Sequence, residues 1–168
     1  MLRALVTGGP GRSCAVVAAL ERSGFSVTAE HRAPDSPWGP VPLPSGPLQC
    51  YAQLPWLPHP GGGDAFPMLD CLAARLDLLA AVAPRLGPEA AVVLAVEDAD
   101  PRRPEANADL LSALALVILE DSGRPEARVM TVPAAELCAS SEARPALVDG
   151  PILHGLGRTR PEAVPARG

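Results

Sequence analysis

The chain contains no lysine: all 14 of its basic residues are arginine. It has one tyrosine, Tyr51, and aromatic residues make up only 3% of the sequence. A chemistry in which an ammonium group lowers the pKa of a neighbouring phenol is therefore excluded within this chain. The abundance of Ala, Pro, Gly and Arg fits translation of a very G+C-rich genome. That bias accounts for arginine at the surface, but drift in composition does not normally remove a lysine that catalysis needs. No apolar run approaches the roughly 20 residues that span a bilayer, and no basic stretch followed by an apolar signal core opens the chain. The expected location is the cytoplasm. Excess positive charge is also lacking, since the formal net charge is -5, which excludes nucleic acid and anionic membrane as evident partners. Cys14, Cys50, Cys71 and Cys138 form no C-x-x-C pair and have no closely spaced histidine, a pattern of buried free thiols and not of a metal site or disulfide framework.

What is present is a core-forming chain of 168 residues, 48% hydrophobic and 20% charged, enough for one globular domain. Its opening, Leu2-Arg3-Ala4-Leu5-Val6-Thr7-Gly8-Gly9-Pro10-Gly11-Arg12-Ser13-Cys14, joins a short apolar run to a glycine-rich turn. A helix is expected over residues 11–24, with Val16, Val17 and Leu20 on its apolar face and Gly24 at its C-terminal stop. A second strand follows from Phe25 to His31, completing a βαβ start.

From Pro34 to Pro60 the spacing of prolines forbids a helix and leaves one plausible strand, around Leu48 to Leu54. This stretch carries Trp38, Tyr51 and Trp56. It is either a semi-rigid polyproline-like arm that lays its tryptophans on a partner or over a pocket, or a loop that covers otherwise bare sheet edges with the tryptophans buried beneath it. Gly61-Gly62-Gly63 is a hinge or turn, because no Lys-Ser/Thr pair follows it.

Asp64 is placed to cap a helix over 65–86, whose apolar residues lie on nearly every side and demand cover on more than one face. Ala90 to Val96 is a continuous apolar run, as in a central parallel strand. A second all-round apolar helix is expected over 105–122, and a last strand from Arg128 to Val132. His154, Arg158 and Arg160 lie in a Gly/Pro-rich tail expected to be irregular, and either mobile or packed on a neighbour.

The first turn, with Thr7 and Gly8 after a strand, resembles that of the short-chain dehydrogenase/reductase (SDR) superfamily. The order of elements over roughly residues 1–137 follows the same plan. The resemblance implies a Rossmann-like three-layer sandwich of about five parallel strands flanked by helices, truncated relative to a full SDR. In domain terms this is one unit over 1–138, with residues 34–63 as a loop replacing family elements and 139–168 as a C-terminal extension.

The resemblance also implies where a dinucleotide would sit: against Thr7, Gly8, Gly9, Gly11 and Arg12, with Arg32 beside a 2'-phosphate, so that NADP is the cofactor if any binds. Two family glycines are replaced by Arg12 and Cys14. Arg12 either fills the space of the phosphates or pairs with them as a cation. The family serine falls where this chain has Glu97-Asp98-Ala99-Asp100, and the family Tyr-x-x-x-Lys pair falls on Asn107 to Leu111. Acids in place of the serine would repel the charge that develops on a carbonyl oxygen.

Two readings follow. In the first, the chain is a catalytically silent SDR-like subunit with no catalytic residue of its own. It associates through Leu72, Leu76, Leu79, Leu110, Leu114 and Ile118, as a homo-oligomer or as a heteromer with an active SDR-type enzyme such as a ketoreductase. In the second it is an enzyme of non-standard chemistry in specialised metabolism, an isomerase, cyclase or dehydratase with Glu97, Asp98, Asp109 and His59 as acids and bases. A more distant variant of this reading is an NADP-dependent reductase that lacks the Tyr/Lys pair.

Overall fold

A computed structural model describes residues 1–8, 13–31, 41–54, 66–96 and 104–133. Alternating apolar runs and helical stretches give five strands and three principal helices: β1 (Leu2–Gly8), α1 (Ser13–Arg22), β2 (Phe25–His31), β3 (Leu48–Gln53), α2 (Phe66–Val82), β4 (Leu86–Val96), α3 (Pro104–Asp121) and β5 (Arg128–Pro133). All strands pair in parallel, in the order β2-β1-β3-β4-β5. The expected Rossmann-like α/β sheet is what forms. This order is one of the two common doubly wound arrangements, and it is also what remains of the other when its third strand is removed.

Side chains alternate cleanly between two faces. One face carries Ala4, Val6, Cys50, Ala52, Val93 and Ala95, packed with Val16, Ala19 and Leu20 of α1. The other carries Leu5, Tyr51, Val92 and Leu94, packed with Leu79 and Val82 of α2 and with Leu111, Ala115 and Leu119 of α3. Val41 and Leu43 join this second cluster, so the end of the proline-rich stretch lies against the α2/α3 side of the sheet. Trp38 and Trp56 lie outside the described residues.

Local signals explain most element ends. Gly24 closes α1 with φ +85, a left-handed turn in which its N–H donates to the Glu21 carbonyl at 2.9 Å. The second helix stops sooner than the expected 86. Pro84 converts its end into a 3-10 turn over Ala83–Arg85, and Leu86 already has extended backbone. β4 begins ahead of the continuous run. Leu86 pairs with Leu48 and Ala91 with Cys50, so the four residues 87–90 lie opposite Gln49 alone, with Glu89 at φ 58.

Candidate functional site at the reversal of strand order

The sheet reverses its order of addition between β1 and β3, and in open α/β sheets ligands bind beyond the strand C-termini at that point. Thr7 and Gly8 end β1 there, and Gln53 ends β3 beside Thr7. The Leu54 N–H continues the pairing by donating to the Thr7 carbonyl at 2.8 Å.

Beneath this crevice lies a chain of buried polar groups. The hydroxyls of Thr7 and Tyr51 are hydrogen-bonded at 3.1 Å. Gln53 donates from Nε2 to the Tyr51 hydroxyl at 3.1 Å and to the Arg75 carbonyl at 2.8 Å. Arg75 returns a bond from Nε to Gln53 Oε1 at 2.9 Å and donates from Nη2 to the Ala95 carbonyl at 2.6 Å. Four elements, β1, β3, α2 and β4, are thus tied through four side chains, those of Thr7, Tyr51, Gln53 and Arg75, none of which carries a negative charge. Every polar atom of the Gln53 amide is engaged, which is the condition under which a polar network in a low-dielectric core is tolerated.

Tyr51 is fully buried, and desolvation pushes its pKa up from 10.0 to about 12. Hydrogen bonds from Thr7 and Gln53 and the charge of Arg75 act in the opposite direction, but burial prevails. The phenol therefore keeps its proton at neutral pH. Cys50, on the other face of β3, is equally inert: burial raises its thiol from 9.0 to about 12.

Of the residues expected to hold a dinucleotide, Thr7 and Gly8 are described, and both are occupied by the fold. The Thr7 side chain is buried against Tyr51, and a Cβ on Gly8 would come within 2.6 Å of Leu54 Cβ. Gly8 is thus required by the close approach of β1 to Leu54, irrespective of any cofactor. Gly9, Gly11, Arg12, Arg32, His59, Glu97 and Asp98 lie outside the described residues.

Asp109 is exposed on α3. Among the described residues no group of three His, Cys, Asp or Glu side chains is arranged to hold a metal ion, and no helix is long and apolar enough to cross a membrane.

The six residues expected at an interface divide by depth. Leu79 is core; Leu72, Leu76 and Ile118 are partly buried against the α2/α3 cluster; Leu114 is half-buried; Leu110 is 52% exposed. Two residues outside that set, Leu116 and Val117, are 48% and 64% exposed.

Sequence reasoning did not bring Tyr51, Gln53 and Arg75 together. The available signals were Tyr51 and Gln53 two apart on one strand face, and the single basic residue, Arg75, in the middle of a largely apolar helix. No family model matches the chain, and comparison with curated proteins finds no match.

Proposed function

We propose that this protein is a catalytically silent, SDR-like subunit that associates through the outer surface of α2 and α3, with an active SDR-type enzyme such as a ketoreductase as its partner. The observation that carries this reading is the exposure of Leu110 and Val117, aligned one above the other, and of Leu116 on their flank, on a helix whose opposite side, Leu111, Ala115 and Leu119, is already spent on the sheet. A helix apolar on both sides needs cover on both sides. The neighbouring outward positions of α2, Ala73, Ala80 and Ala81, are small and let another helix approach closely.

The state of the polar residues supports the silent half of the reading. Tyr51, the chain's single tyrosine, is sealed in the core, and α3 carries neither tyrosine nor lysine. The strand order, equal to a six-strand dinucleotide-binding sheet less its third strand, fits truncation of an SDR-like plan, as it also fits the complete five-strand doubly wound order.

Native mass spectrometry of the full chain, alone and co-expressed with the proteins encoded beside it, tests the proposal. The expected result is a defined oligomer, heteromeric when an SDR-type enzyme is among the co-expressed proteins, that dissociates in the Leu110→Arg, Val117→Arg double variant. A well-folded monomer under both conditions would overturn it.

A further inference from the structure

The outward row of α3 runs Asp109, Ala113, Leu116 and Glu120, at steps of four, three and four residues, and all of these positions are exposed. That spacing is the seam along which one helix packs on another. Leu110 and Val117 lie beside it, so the row has an apolar middle between two acids. At 1.5 Å per residue, those acids stand about 16 Å apart along the helix axis. On α2 the outward positions Ala73, Asp77, Ala80 and Ala81 follow the same plan, with small apolar residues around one acid.

Asp77, Asp109 and Glu120 make no ion pair among the described residues. Neither helix has an exposed base to offset them. Arg75 is turned inward to Gln53 and Ala95. Arg85 and Arg124 lie past the helix ends, and Arg124 donates to the Pro84 carbonyl at 3.0 Å.

This charge pattern bears on what can cover the face. Two identical helices related by a two-fold axis align either antiparallel or parallel. In an antiparallel pair centred on the apolar middle, Asp109 of each copy stands opposite Glu120 of the other. In a parallel pair each acid stands opposite its own counterpart. Both alignments set acid against acid at both ends of the apolar stretch, and like charges facing each other across an interface select against that partner. A different chain escapes this restriction by placing bases there.

Resting on the reading of α2 and α3 as an interface, we infer that the occupant of this face is a different chain and not a second copy. Its recognition element is an apolar helix that presents two arginine or lysine side chains, about 16 Å apart, to Asp109 and Glu120. The apolar middle holds the helices together, and the acids choose between partners. Because both acids are exposed, substitution there leaves the core intact.

The test uses the full chain, with its own variants as partners of known charge. Sedimentation equilibrium in about 0.1 M salt compares the parent, the Asp109→Asn, Glu120→Gln variant, and a mixture of the parent with an Asp109→Arg, Glu120→Arg copy. The neutral variant is expected to self-associate with a dissociation constant lower than the parent's by about tenfold or more, and the mixed pair to form more tightly than either homomer by a similar factor. Adding Leu110→Arg and Val117→Arg is expected to abolish both gains. Equal affinities for the parent, the neutral variant and the mixed pair, all lost with Leu110→Arg and Val117→Arg, would overturn this inference and leave the interface itself standing. No association in any combination, and none with the co-expressed proteins, would remove the interface as well.

Discussion

Tyr51 shows how a residue type associated with proton transfer becomes part of the scaffold. Its hydroxyl accepts from Gln53 and shares a hydrogen bond with Thr7, while burial lifts its pKa from 10.0 to about 12. The folded state therefore holds a proton that the unfolded chain releases from pH 10 upward. Stability owed to this group is whole below pH 10 and falls as pH rises toward 12, with a limiting slope of about 1.4 kcal/mol per pH unit. Cys50, raised from 9.0 to about 12, adds a fall of the same sign that begins near pH 9. Because the chain has one tyrosine, absorbance at 295 nm follows Tyr51 alone. Tyrosinate is expected to form only near pH 12 or together with unfolding, and a titration midpoint at 10 in folded protein would refute the burial argument. Tyr51→Phe should cost about 1–3 kcal/mol in urea denaturation, since it takes a partner from Thr7 and from Gln53, and it should remove the component of the alkaline fall between pH 10 and 12. Gly8→Ala is expected to cost about 1–3 kcal/mol as well, through overpacking against Leu54; a thermal melt unchanged from the parent would show that β1 and β3 can part at no cost.

Helix α3 separates two roles along one element. Leu119 is buried between helix and sheet, whereas Val117 is 64% exposed. Truncating Leu119 to Ala should cost about 2–5 kcal/mol in chemical denaturation, as for other leucines in well-packed cores. Truncating Val117 to Ala should change monomer stability by no more than about 0.5 kcal/mol. Equal costs at the two positions, measured at concentrations where the protein is monomeric, would mean that α3 has no free side. The contrast between these faces marks the limit of what the residues alone reveal. Period and punctuation located nearly every element: β2 from Phe25 to His31, β3 within the proline-rich stretch, and α3 to within a residue at each end. An all-round apolar helix, however, has no face that period alone can select, so Leu79 was grouped with surface residues although it lies in the core. The buried polar chain was equally hidden. Thr7, Tyr51 and Arg75 are far apart in sequence and meet only because β3 is laid between β1 and β4. Strand order is a property of the whole sheet, and no local pattern encodes it.

At the scale of the molecule, association through one face must couple to stability by mass action. If α2 and α3 bind another copy, the unfolding midpoint rises with protein concentration, and a concentration 100 times the dissociation constant adds about 2.7 kcal/mol. The Leu110→Arg, Val117→Arg variant should show a midpoint independent of concentration and equal to the dilute-limit value of the parent, because both positions are exposed in the single chain. Salt then distinguishes a second copy from a different partner. Asp77, Asp109 and Glu120 are exposed on these helices, and the one basic residue the pair contains, Arg75, is directed to Gln53 and Ala95. Two copies thus bring acids toward acids around an apolar centre, so self-association should strengthen as salt shortens the screening length from about 10 Å at 0.1 M to about 3 Å at 1 M. A partner whose rim is basic should bind less tightly over the same range, through a lower rate of encounter. Sedimentation at two salt concentrations, with and without the co-expressed enzyme, measures both responses. Weakening of the homomer by salt would count against an apolar contact ringed by these acids and would require a different surface.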